Sequence, residues 1–94
     1  MIRVVIERKL SQEGDEEIQQ AMRDLRREAI HQPGYVSGET LRDTANPYHF
    51  LIISTWRTRE EWETWANSVR RREIEDQIGK MLTESERVTN CELI

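Results

Sequence analysis

Gln32 to Ser68, QPGYVSGETLRDTANPYHFLIISTWRTREEWETWANS, holds a Pro-Gly turn, two strands and a tryptophan-rich helix in an order that few small folds use. Its centre, His49 to Trp56, is apolar on both faces: alternation sends Phe50, Ile52 and Trp56 one way and Leu51 and Ile53 the other. A strand of that kind needs cover on both sides. A chain of 94 residues has enough helix for one side only, so the second cover is expected from another copy of the chain. The function is then expected in the cavity that this pairing creates.

Upstream, Met1 to Lys9 alternates, with Ile2, Val4 and Ile6 on one side and Arg3, Val5 and Glu7 on the other, which is a strand with one fully apolar face. Ser11 to Gly14 reads as a turn. After Asp15 the apolar residues Ile18, Ala21, Met22, Leu25 and Ala29 recur at helical spacing, with acids early and Arg26 and Arg27 late, where each sign of charge suits the helix dipole. Gln32-Pro33-Gly34 stops this helix. Tyr35 to Leu41 reads as the second strand, Asp43 to Pro47 as a loop, and Tyr48 to Trp56 as the third strand.

Downstream, Thr58 and Glu61 have the spacing of a capping box, and Trp62, Trp65, Ala66 and Val69 follow at i, i+3, i+4 and i+7. Ile74, Ile78, Met81 and Leu82 continue a helical stripe whose phase, relative to the tryptophans, predicts a break or bend around Asn67 to Arg70. Arg87 to Ile94 is the fourth strand. The order βαββαβ, with crossovers of fixed hand, leads to an α+β fold. It is a ferredoxin-like antiparallel sheet with helices on one face and with the first and third strands central.

Composition narrows the function. Ninety-four residues, 36% hydrophobic and 34% charged, fit one domain over residues 1–94 with a modest core that pairing would enlarge. A formal net charge of −4 speaks against a nucleic-acid partner, and the run Arg70, Arg71, Arg72, set among acids, reads as a solvated helix face. A single cysteine, Cys91, has no internal partner and no evident basic neighbour to activate it. With no leader and no apolar run of about 18 residues, the chain is expected to be cytoplasmic, with no membrane partner. Two distant histidines and one cysteine show no ligand spacing, so neither metal nor cofactor is expected.

The order Pro33-Gly34, Glu39, Asn46-Pro47, then Trp56-Arg57-Thr58-Arg59-Glu60 running into Trp62, Trp65 and Ser68 resembles the antibiotic biosynthesis monooxygenase family of dimeric α+β barrels. The resemblance covers nearly the whole chain through short, degenerate pieces. It implies a homodimer whose two sheets close against each other, with a cavity between each sheet and its helices or loops. It also implies several activities: cofactor-independent oxidation of polycyclic phenols to quinones, haem degradation, and processing of signal molecules. The haem-degrading branch has a strand asparagine, a helix tryptophan and, about ten positions on, a histidine that binds iron. Here Trp65 matches the tryptophan, but Glu7 stands for the asparagine and the third place falls at Ile74, Glu75 and Asp76. Haem chemistry of that kind lacks its axial ligand in this sequence.

Cofactor-free oxidation asks less of a protein: a base, donors for a developing oxyanion, and a dry apolar pocket. Glu7 is the expected base, on a strand facing a partly apolar cavity. Trp65 and Tyr35 are expected to stack on a flat ring, and His49 or Arg42 to donate to its oxygen. Each has a plainer role beside it. Glu7 and Arg3 can pair at a subunit boundary, His49 can be a partly exposed strand residue, Arg42 can pair near Asp43, and Trp56, Trp62 and Trp65 can be packing. His31 is accounted for by the C-terminus of the first helix. Three readings are open at this point: an oxygenase for a small aromatic or quinol-like molecule, a ligand-binding or stress-associated dimer without catalysis, and another reaction of the family.

Overall fold

The computed structural model describes residues 1–11 and 16–94. It runs β1 (Ile2–Lys9), α1 (Glu16–Ala29), β2 (Tyr35–Arg42), β3 (His49–Trp56), α2 (Arg59–Ala66), α3 (Val69–Gly79) and β4 (Arg87–Glu92). The turn expected over Ser11 to Gly14 falls on residues that, after Ser11, lie outside the described ones. The strands form one antiparallel sheet in the order β2-β3-β1-β4, the ferredoxin-like arrangement, with β1 and β3 central.

Alternation sets the two faces. On β1, Val4, Ile6 and Arg8 are buried on the helix side. On β3, Phe50 and Trp56 are buried, with Ile52 and Ser54 between them. Register pairs these same-face residues across the two strands: Ile2 with Trp56, Val4 with Ser54, Ile6 with Ile52, Arg8 with Phe50. The helices close this face with Ile18, Ala21 and Leu25 from α1, Trp62 and Trp65 from α2, and Ile74 and Ile78 from α3. α1 packs along α3, and Arg70 Nε reaches Glu28 Oε1 at 3.1 Å between them.

The break foreseen after the tryptophans is complete, so the second helical segment is two helices. Asn67 ends α2: its backbone N–H donates to the carbonyls of Glu63 and Trp65, and its side-chain amide donates to Glu63 O at 2.9 Å. Ser68 then starts α3, its Oγ accepting from the N–H of Arg71 at 3.2 Å. Asparagine and serine offer the backbone local partners that compete with continued helix, so adjacent they make a stop and a start.

At the other end of the tryptophan helix, Thr58 Oγ1 accepts from the N–H of Glu61 at 3.1 Å, the expected cap. Glu61 also takes Arg57 Nη2 at 2.8 Å, and these two partners, Arg57 first, hold its carboxyl below the usual range. Gly34 sits directly under it. Its φ of +87° and the 2.5 Å that would separate an added Cβ from Glu61 Cδ leave room for glycine alone. Arg57 N–H donates to Gly34 O at 2.7 Å, so the starts of β2 and α2 are tied together.

On the reverse face the apolar residues expected of β3 form part of a strip rather than a full layer. Val5, Leu51 and Ile53 are half-buried and Leu41 is exposed, and the four form a strip bordered by Arg3, Glu7, Lys9 and Glu39. The apolar character of that side is confined to the middle of the sheet. Every residue of β4 is exposed, the thiol residue Cys91 among them. No helix among the described residues is long and apolar enough to cross a membrane.

Candidate active site

Between the helix face of the sheet and the three helices lies a cleft of about 570 Å³, counted out to its open mouth. Its walls follow from the elements. β3 supplies Ile52, Ser54 and Trp56; β2 supplies Tyr35, Gly38 and Thr40; α1 supplies Met22, Leu25 and Ala29. Trp62 and Trp65 come down from α2, one helical turn apart, because the cap at Thr58 fixes which face of that helix turns inward. Trp56 meets Tyr35 edge-on at 5.4 Å between ring centroids and Trp62 at 5.5 Å, an aromatic corner that also orients Tyr35 over the sheet. The Tyr35 hydroxyl comes to rest above Gly38, where a Cβ would lie 2.5 Å from it.

Two arginines also line this apolar cleft. Arg8, 2% exposed, continues the inward face of β1, and Arg71, 8% exposed, is the first inward residue of α3. Arg8 donates through Nη2 to Glu75 Oε1 and through Nε to Glu86 Oε2 at 3.1 Å. Arg71 Nη2 stands 3.3 Å from Glu75 Oε1 and 3.8 Å from Glu86 Oε1. It is an ion-pair neighbour of both, yet among the described residues this buried nitrogen has no hydrogen-bond partner. Its guanidinium carbon also lies 5.2 Å from the centre of the Trp62 ring. Burial raises the Glu75 carboxyl above its usual value against the pull of Arg8 and Arg71, and the neighbouring Glu86 adds to the rise. Two guanidinium groups thus form part of one wall of an aromatic pocket, and the carboxylates of Glu75 and Glu86, outside the lining, hold them.

The expected site residues divide between the two faces. Trp65 and Tyr35 line the cleft together. Arg42 is on the helix face of β2 but lies outside the cleft lining, with its guanidinium 5.0 Å over the Phe50 ring. Glu7 does not face this cavity: alternation that turns Ile6 and Arg8 inward turns Glu7 outward, and it pairs there with His49. Nor is Arg71 part of a solvated face as the arginine run suggested. It falls at i−3 and i−7 from Ile74 and Ile78, on the same buried stripe. Glu75, one of the three residues set against the histidine of the haem-degrading pattern, is engaged by Arg8 and Arg71.

On the reverse face His49 stands between two carboxylates. Its Nδ1 is 3.1 Å from Asp43 Oδ2 and its Nε2 is 3.1 Å from Glu7 Oε2, the second contact without hydrogen-bond alignment. Asp43 accepts only, so Nδ1 carries the proton. Asp43 first and Glu7 second raise the His49 pKa above 6.5, and the Ala45 N–H followed by His49 lowers that of Asp43. A histidine with a raised folded pKa adds stability that is full below about 6.5 and is lost as pH rises through the folded value. His49→Gln is therefore expected to lower the urea midpoint at mildly acidic pH and to leave it unchanged in alkali. Asp43→Asn should bring the imidazole titration, followed by NMR, back toward 6.5.

The family model described as antibiotic biosynthesis monooxygenase matches residues 1–77. No curated protein sequence matches. Among solved structures, a crystal structure of an antibiotic biosynthesis monooxygenase superposes with a TM-score of 0.91 at 16% identity, over 100% of this chain and 99% of that one. A conserved protein from Methanosarcina mazei Go1 gives 0.87 at 18% identity over 95% and 88% of the two chains. A mutant of SnoaB, a cofactor-independent oxygenase from Streptomyces nogalater, gives 0.87 at 11% identity over 98% and 91%. At these identities the solved structures establish the fold.

Proposed function

The chain belongs to the antibiotic biosynthesis monooxygenase family, and from that premise we propose that it is a cofactor-independent monooxygenase for a flat, electron-rich aromatic of the phenol or quinol type. The observation that carries this reading is the helix-side cleft, which joins a cage of Tyr35, Trp56, Trp62 and Trp65 to a buried guanidinium with an unspent donor. The similarity to SnoaB, a cofactor-independent oxygenase, agrees with it.

The chemistry suits the walls. A ring system lies against Trp65 and Tyr35, the apolar lining excludes water, and the Arg71 guanidinium favours the ionised hydroxyl that makes the ring a good one-electron donor to oxygen. For an anthrone the sum is simple: the reacting CH₂ becomes C=O with one oxygen atom of O₂, and its two hydrogens leave with the other as water. In this arrangement Glu7 and His49 belong to the opposite face of the sheet and do not meet the ring.

Oxygen consumption with a hydroxylated anthrone tests the reading. One O₂ taken up per anthrone, faster with protein than without, is expected. Equal rates with and without protein would refute turnover. Glu7→Gln should leave this rate unchanged; a sharp loss would return the base to β1. A second reading, binding without turnover, is favoured by the tie of Arg8 and Arg71 to Glu75 and Glu86. It predicts a bound anthrone and no oxygen uptake.

The same reading includes a homodimer formed through the reverse face. The strip Val5, Leu51, Ile53 and Leu41, with a rim of both charge signs in Arg3, Lys9, Glu7 and Glu39, suits a self-complementary contact. Sedimentation at micromolar concentration should give twice the chain mass, and Ile53→Glu at the centre of the strip should give a folded monomer. A monomeric parent protein would end this part of the proposal.

A further inference from the structure

The cluster of Arg8, Arg71, Glu75 and Glu86 does more than close a wall. Arg8 is anchored by hydrogen bonds to both carboxylates, whereas Arg71, nine-tenths buried beside the aromatic cage, keeps a nitrogen that none of its neighbours satisfies. A buried donor without an aligned acceptor is costly even with carboxylates 3.3 and 3.8 Å away, and an oxygen of a ligand in the cleft that Arg71 lines would satisfy it. With all four side chains ionised the cluster sums to zero charge. An anionic ligand added to it would leave one buried negative charge in excess, which is unfavourable unless a proton arrives with it.

We propose that the cleft takes its ligand as an aromatic oxyanion on Arg71, and that the proton lost by the ligand hydroxyl is kept inside the site on Glu75, shared with Glu86. This rests on the helix-side cleft being the ligand site and names the ligand form that it selects. The step moves one proton and no electrons: the O–H bond of the ligand breaks, its electron pair stays on the aryl oxygen, and an O–H bond forms on the Glu75 carboxylate. Total charge within the site stays at zero. The groups facing Glu75 are Arg8 from β1, Arg71 from its own helix and Glu86 from the segment before β4. Burial outweighs the pull of the two arginines and, with Glu86 beside it, leaves Glu75 easier to protonate than a free carboxylate, as this exchange requires. Glu75 is here a positioning and proton-holding residue; Arg71 is the one that meets the ligand.

Alizarin, a planar dihydroxyanthraquinone whose visible spectrum changes on ionisation, is the probe, and its dimethyl ether is the control. Bound alizarin should titrate at least about one unit lower than free alizarin, which is about tenfold tighter binding of the ionised form. At neutral pH it should bind more tightly than the ether. Calorimetry in phosphate and in Tris should show no proton released on binding at a pH where free alizarin is neutral, and about one released for Glu75→Gln. Arg71→Met together with Glu75→Gln, which keeps the charge balance and so the fold, should bind alizarin with its neutral spectrum. Alizarin bound by the parent protein with an unshifted or raised pKa would overturn the inference and leave the aromatic cleft standing, as would equal proton release from parent and Glu75→Gln. Failure of both dyes to bind would overturn the cleft reading as well.

Discussion

Replacing Trp56 by alanine is expected to bring the protein to the edge of unfolding at room temperature. The side chain is 1% exposed, lies at the end of β3 between Tyr35 and Trp62, and spends its indole N–H on Ser54 Oγ at 3.0 Å. Removing a buried tryptophan costs about 3–5 kcal/mol in lost transfer energy and unfilled cavity. Domains are stable by only about 5–15 kcal/mol, and those of this size fall toward the lower end. The two rings that lean on Trp56 lose their support at the same time, so the near-ultraviolet circular dichroism should collapse together with the urea midpoint. Trp56→Phe separates packing from hydrogen bonding. It keeps most of the apolar volume, orphans the Ser54 hydroxyl and should cost less than the alanine change. Equal losses in the two variants would show that the aromatic corner contributes nothing beyond the tryptophan's full size.

The second large effect is expected at Arg8, through charge rather than volume. Arg8→Met preserves the length of the side chain on the inward face of β1, but it strips Glu75 and Glu86 of the cation that bonds both. Breaking a buried ion pair from one side costs about 3–5 kcal/mol, and the partial exposure of Glu75 and Glu86 and the nearness of Arg71 set the loss toward the lower end. The companion change Glu75→Met should recover much of that loss, since it removes the stranded carboxylate. A double-mutant cycle by chemical denaturation measures the difference. The pH dependence has a definite sign. Burial raises the Glu75 carboxyl in the folded protein, so its stabilising share is complete below about 4.5, the unfolded value, and is lost as pH rises through the folded value. Without Arg8 the folded value rises further. The Arg8→Met penalty should therefore shrink as pH falls through the carboxylate range, and a penalty equal at pH 4 and pH 8 would locate its origin in packing.

The fold was legible because local signals and global need coincide in it. The alternation in Ile2, Val4 and Ile6, the Thr58 and Glu61 cap, and the phase change after Trp65 each correspond to an element or a boundary of the structure. The site was half legible. Tyr35 and Trp65 were identifiable as large rings on elements that face one another, and both line the cleft. Glu7 stands out in the sequence as a carboxylate on a central strand, yet it shares its face with Arg3 and Val5, away from Ile2, Val4 and Ile6. The same alternation that turns Glu7 out turns Arg8 in. Arg71 was hidden by its company, since Arg70 and Arg72 are exposed and the run reads as solvated. The signal that reveals it is the spacing 71, 74, 78, a helical stripe on which a charged residue is enclosed. Pairing with Glu86 stayed out of reach for a simpler reason: Arg8 and Glu86 are 78 residues apart in the chain, and only the β1–β4 pairing brings them together.

Gly38 leaves a consequence for what the molecule can admit. The tyrosine hydroxyl that borders the cleft occupies space vacated by a missing side chain on β2, with the Ile53 carbonyl oxygen 3.4 Å from where that side chain would begin. One flank of the opening is thus set by a tyrosine ring seated on main chain and held edge-on by Trp56, which leaves it less room to yield than a free rotamer has. A guest slightly too broad on that flank meets a rigid limit, while breadth toward the methionine of the first helix meets the softest side chain of the lining. Tolerance is therefore lopsided: variation among acceptable compounds should accumulate on their α1-facing border and be rejected on the other.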